Sequence, residues 1–159
     1  SQAVNQSLDK CLQDERTVLC GQLVRYDHSS LTKGLHLKYP NQVITYPVAE
    51  NLMNASSLGL ALCGKRPIVI HERFNFGIVG MDSLINHIPI YGSKLPILMM
   101  MIVGYGSGQG PQQGGDFSSM FTNQGWMVTK PRTSGEAVAA ILHPHRDFPY
   151  MLVIDRSLY

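Results

Sequence analysis

The chain has 159 residues, of which 44 % are hydrophobic and 15 % charged, with 13 basic against 11 acidic residues and a net charge of +2. The apolar content excludes a disordered chain, and the near balance of charge, with no Lys/Arg block, excludes an electrostatic nucleic-acid binder. The length fits one domain with a buried core, and a charge content below the roughly 25 % of average globular chains points to a surface partly covered by a partner.

Cys11, Cys20 and Cys63 are odd in number and form no CxxC pair, so free thiols in a reducing compartment, the cytoplasm, are expected. With no basic stretch followed by an apolar one near residue 1, no secretory signal is expected. The longest apolar run, residues 95–103, contains Pro96 and is far short of the roughly 18 residues that cross a bilayer.

Taken in chain order, Val4, Leu8, Cys11 and Leu12 recur at helical spacing and predict a helix over 7–14. The run 17–24 reads as a strand, 26–30 as a polar loop, 31–39 as one or two helical turns before Pro40, and 43–46 as a strand. Pro47 suits the first turn of a helix that carries Glu50, Leu52, Met53, Ser57, Leu60 and Ala61 and stops at Gly64. RPIVIH, residues 66–71, is the unbroken apolar run of a buried parallel strand.

A helix over 76–88, ended before Pro89, and a strand over 95–103 follow. A glycine-rich loop, GYGSGQGPQQGG, then fills 104–115. Residues 116–123 predict a short helix, 126–129 a strand, 134–142 a helix capped by Ser134, and 150–155 the last strand. Strands alternating with helices predict an α/β fold, a mostly parallel sheet with helices on both faces, as a single domain over 1–159. Such sheets take ligands beyond the carboxyl ends of their strands. The candidate rim is therefore 26–30, 46–50, 71–76 and 104–115.

Glu50 lies on that rim in a first helical turn, where the helix dipole favours an acid. Covered by a partner and stripped of water, the same carboxyl would favour its protonated form and could donate a hydrogen bond to a ring nitrogen. Phe74 and Phe76, two residues apart at a strand end, are placed on one side. There they either pack in the core or stack on a heteroaromatic ring. The glycine-rich loop, with Gly104, Gly106, Gly108 and Gly110, fits neither a Walker loop nor the dinucleotide fingerprint. His28, on the rim, is a candidate acid/base. His143 and His145 lack a third ligand, and no metal site is expected within the chain.

Five segments in order carry a resemblance. They are LTKGLHLKYPNQVITYPVAE, LGLALCGKRPIVIHERFNFGIVGMDSLINH, the glycine-rich loop, WMVTKPRTSGEAVAAILH and PYMLVIDRSLY. Together they resemble the pyrimidine-binding domain of thiamine-diphosphate enzymes, above all the beta subunit of the decarboxylating component of 2-oxo acid dehydrogenases, with transketolase more distant. The resemblance covers nearly the whole chain and implies the pyrimidine-module fold. It implies that Glu50, in TYPVAE, hydrogen-bonds the pyrimidine of thiamine diphosphate. It implies that Phe76, ending FNF, stacks on that ring, with Phe74 beside it. The carboxyl then favours the imino tautomer, which activates the thiazolium carbon to the ylid.

Three departures from the family pattern stand out. The loop reads GPQQGG, so Gln112 or Gln113 stands where the family has a substrate-facing histidine, and His28 is the candidate replacement. GQLV places Gln22 where the family has an acid. The family's beta subunit continues into a further C-terminal, transketolase-like domain, which is not expected here. Nor does a GDG motif occur. Mg2+ and the diphosphate are therefore expected to be held by a partner subunit carrying GDG…N, in a heterodimer or heterotetramer, with no nucleic acid and no membrane involved.

The resemblance thus implies a cytoplasmic subunit of a split thiamine-diphosphate enzyme, active only with its partner. Its chemistry would be 2-oxo acid decarboxylation or two-carbon transfer. Two alternatives stay open: a non-catalytic structural or regulatory partner subunit that keeps the fold, and a small-molecule α/β binding module unrelated to thiamine.

Overall fold

A computed structural model describes residues 2–27, 29–91, 93–104, 110, 113–143 and 147–159. Six short apolar runs form one sheet: β1 (Thr17–Gly21), β2 (Val43–Thr45), β3 (Arg66–His71), β4 (Leu98–Val103), β5 (Met127–Thr129) and β6 (Tyr150–Asp155). Their order is β2-β1-β3-β4-β6-β5, and each described pairing is parallel. Parallel neighbours need a crossover between them, and crossovers cover the faces.

Side chains of successive strand residues point to opposite faces. Leu19, Ile68, Ile70, Leu98, Met100, Ile102, Leu152 and Ile154 pack with α1 (Gln2–Leu12) and α6 (Ser134–Ile141) on one face. Val18, Cys20, Val69, Met99, Met101, Met151 and Val153 pack on the other with α3 (Glu50–Leu62) and the helical segment 74–91. This double burial is why the strand sequences read as continuous apolar runs. The expected α/β fold, a parallel sheet between two helical layers, is the one found.

The connection from β1 to β2, with α2 (Leu35–Lys38), buries Leu31 and Leu35 on the α1 face. The next connection, α3, lies on the opposite face and leads back past β1 to β3. The chain therefore reverses its direction of winding at β1 and β3. A crevice opens at the carboxyl ends of such a strand pair.

Segment 74–91 departs from the single helix expected over 76–88. It runs as α4 (Phe74–Gly77), a tight turn over Ile78–Gly80, a wide turn over Ser83–His87 and α5 (Ile88–Tyr91). The carbonyls of Gly77 and Gly80 accept hydrogen bonds from the Asn54 side chain at 3.0 and 3.2 Å, which draws them out of regular helical pairing. The Leu84 carbonyl accepts from Trp126 Nε1 at 2.7 Å. Pro89 does not end the segment. It sits in the first turn of α5, directly after the wide turn whose Leu84 carbonyl Trp126 serves.

Smaller corrections have equally local causes. β1 stops at Gly21, because Leu23 turns the chain with φ 60°. The helix expected over 116–123 is one turn, Ser118–Met120. The cap of α6 is Thr133, whose Oγ1 accepts from Glu136 N at 3.1 Å, while Ser134 Oγ donates to the Leu158 carbonyl at 2.9 Å. Among the described residues no helix is long and apolar enough to cross a membrane.

Candidate functional site

Parallel strands bring their carboxyl ends to one rim. Gln22 follows β1, Glu50 opens α3 after β2, Glu72 to Phe76 follow β3, and Arg156 follows β6. Pro47 and Val48 precede α3 rather than opening it, and Ala49 is the N-cap without a side-chain bond. The first turn therefore begins at Glu50. Its carboxyl, half-buried at the positive end of a helix dipole, accepts a hydrogen bond at Oε1 from Gln22 Nε2 at 2.8 Å.

One turn further along, Asn54 is fully buried. Its amide nitrogen serves the two glycine carbonyls of the 74–91 segment, so its Oδ1 faces His71, 2.7 Å from Nε2. Nε2 therefore carries the hydrogen and donates. Burial pushes the His71 pKa down to about 4, against the pull of the Glu50 charge in the other direction. The imidazole is neutral, and it locks the end of β3 to α3. Gly80 lets the 74–91 segment approach closely. A Cβ there would collide with the Asn54 amide and lie 3.0 Å from the Glu50 carbonyl oxygen.

Phe76 is half-buried and lines a cavity of about 550 Å³ at the β1 and β3 ends. Leu23, Ser29, Arg73, Gln113 and Arg156 share its wall. Arg73 is buried, with Nη1 donating to the Glu72 carbonyl at 2.5 Å. Arg156 Nη2 lies 3.5 Å from Glu72 Oε2. The wall therefore carries charges of both signs, with the Asp155 charge also acting on Tyr159. Burial also pushes the Tyr159 phenol, on the same wall, above its ordinary pKa.

Phe74 is a correction. Its ring is 0 % exposed and packs on Phe117 edge-on at 5.8 Å and on Phe121 stacked at 5.9 Å. The strand ends at His71, so both phenylalanines lie in the first turn of α4. Two residues apart on a helix is roughly 200° of rotation, which sends Phe74 inward and Phe76 to the cavity. Gln113 lies on the cavity wall, whereas His28 and Gln112 fall outside the described residues. Asp116, in the GGD stretch, pairs with Lys130 at 2.9 Å.

The chain matches the family model of the transketolase pyrimidine-binding domain over residues 1–159. It belongs to that family. As a pyrimidine-binding domain of the thiamine-diphosphate enzymes, it is 29 % identical to the mitochondrial pyruvate dehydrogenase E1 component subunit beta of Bos taurus, over 99 % of this chain and 47 % of that protein. It is 32 % identical to the same subunit of Ascaris suum, over 98 % of this chain and 46 % of that protein. The chain spans about half the length of the curated relatives it matches. A solved structure described as a split gene transketolase, inactive beta4 tetramer, superposes with a TM-score of 0.76 at 17 % identity, over 98 % of this chain and 50 % of that one. That likeness shows the shared fold.

Within this pyrimidine-binding domain, Glu50 on α3 and Phe76 on α4 stand at the same rim on elements tied together through Asn54, and Glu50 is not itself part of the wall of the Phe76 cavity. Three residues that hold the site were not singled out as such in the sequence. Gln22 had been noted only as a departure from the family pattern. Asn54 shows itself as a polar residue on the core face of a helix, and His71 as a polar end to an apolar strand.

Proposed function

We propose that the chain is the pyrimidine-side half of a split thiamine-diphosphate enzyme, and that Glu50 is its catalytic residue. The observation that supports this most directly is the Glu50 carboxyl at the carboxyl end of the sheet, bonded to Gln22 just beyond β1. One oxygen is engaged by Gln22, and among the described residues none bonds the other. That oxygen suits a ring nitrogen. The half-buried ring of Phe76 supplies a face for the same heterocycle, so these residues fit the aminopyrimidine half of the cofactor.

When bound, thiamine diphosphate supplies an acidic thiazolium carbon and an electron sink. The chain's own groups do the rest. Glu50 holds and returns a proton at Oε2. Phe76 orients the ring. Val48, 84 % exposed, and the exposed Leu23, each close in sequence to Glu50 or Gln22, offer apolar surface that a partner subunit would cover, excluding water. The diphosphate and Mg2+ would be held by that partner, through a GDG…N motif.

The glutamines of GPQQGG favour a second reading, a non-catalytic partner subunit that keeps the fold. One experiment separates the two. The chain is co-expressed with a GDG…N-bearing partner, and cofactor-dependent turnover of 2-oxo acids and ketose phosphates is followed with and without Glu50→Gln. The enzyme reading expects turnover only in the complex, falling about 100-fold or more in the variant. Turnover unchanged by Glu50→Gln would establish the second reading.

A further inference from the structure

We propose that Gln22 is a positioning residue for Glu50: its side-chain amide fixes one carboxyl oxygen as an acceptor and turns the other, proton-bearing oxygen toward the pyrimidine nitrogen. This rests on the reading of Glu50 given above.

The backbone delivers both groups rigidly. Gln22 directly follows Gly21, the last residue of β1, which pairs with Thr45 of β2 on one side and Ile70 of β3 on the other. The Gly21 carbonyl accepts from Tyr46 N at 3.0 Å, so the strand end stays tied to the chain leading into α3. Glu50 is fixed by the first turn of α3, and the two side chains meet at 2.8 Å.

Elementary hydrogen-bond chemistry then sets the direction. An ionised carboxylate only accepts, and the NH2 of a glutamine only donates, so Nε2 faces Oε1. When Glu50 is protonated the same contact keeps its proton off Oε1, because two donors cannot face each other. The proton must sit on Oε2. The amide therefore distinguishes the two oxygens in both ionisation states.

A carboxyl at position 22 would do this only while protonated. Two carboxyls at this distance repel when both are ionised, or share a proton, and their titrations couple. An amide does not titrate. The other titratable groups around the start of α3 interfere little. His71, at the end of β3, is neutral. Asp82 and His87, on the segment packed against α3, are exposed to water and lie 3.5 Å from each other.

The test uses the assembled complex with its partner subunit and thiamine diphosphate. Cofactor affinity is measured by titration calorimetry, and the tautomer of the bound aminopyrimidine is followed by its circular dichroism across pH. Gln22→Met keeps the length and removes the donor. It should weaken cofactor binding about tenfold or more and lower the imino fraction. Gln22→Glu should replace a single tautomer titration by two coupled steps, and it keeps the test available if the Met variant fails to assemble. Wild-type affinity and tautomer titration in Gln22→Met, or a single unshifted step in Gln22→Glu, would overturn the proposal. Glu50→Gln run in parallel separates the two claims. If it abolishes the tautomer signal while the Gln22 variants do nothing, only the positioning role fails. If it too changes nothing, the reading of Glu50 fails.

Discussion

His71 donates from Nε2 to Asn54 Oδ1 across 2.7 Å in the interior, joining the end of β3 to α3 one turn beyond Glu50. The bond needs a hydrogen on Nε2, and burial keeps the ring neutral, with the pKa pushed down to about 4 from 6.5. The unfolded chain takes up this proton as pH falls through 6.5, and the folded chain does not. Stability from this source is complete above about pH 6.5 and is lost as pH falls toward 4, by up to about 3 kcal/mol. Chemical denaturation between pH 7 and pH 4 should show the wild type losing more stability than His71→Gln by that amount. Parallel pH dependences would contradict it.

Gly80 and Gly59 give opposite expectations for the same substitution. A methyl at Gly80 meets the Asn54 amide and the Glu50 carbonyl, neither of which can retreat without shifting α3. Gly80→Ala should cost about 1–3 kcal/mol and displace Glu50, lowering turnover of the complex as well. A methyl at Gly59, on α3 itself, meets nothing within 4 Å. Gly59→Ala should stabilise by about 1 kcal/mol with activity unchanged. Thermal melts and turnover of both variants check the contrast.

The two phenylalanines of FNF should separate cleanly. Phe74→Ala opens a hole between Phe117 and Phe121 and should cost about 3–5 kcal/mol of stability. Phe76→Ala removes a ring face from the cavity wall. It should leave the melting temperature nearly unchanged while weakening cofactor affinity roughly tenfold. Loss of stability in Phe76→Ala without loss of affinity would mean that its ring belongs to the core.

What the sequence shows of this fold follows from burial. β3 and β6 are legible to the residue, because a strand covered on both faces leaves an unbroken apolar run with sharp ends. Segment 74–91 is legible only as helical. Its changes of pitch depend on Asn54 and Trp126, which reach it from 20 or more positions away and leave no local mark. The inward turn of Phe74 is hidden in the sequence, because strand alternation holds only to His71 and a helix has begun three residues later. In the site, Glu50 is visible from its motif. Its bond to Gln22 spans 28 positions and exists only once β1 and α3 are side by side.

The most direct test of the central claim is the rate at which the thiazolium C2 proton of bound thiamine diphosphate exchanges for deuterium in the assembled complex, compared between wild type and Glu50→Gln. The substituted amide can still accept from Gln22, so fold and assembly should persist. The account predicts that exchange slows about 100-fold or more. Exchange at the wild-type rate in a variant that still binds the cofactor would contradict it.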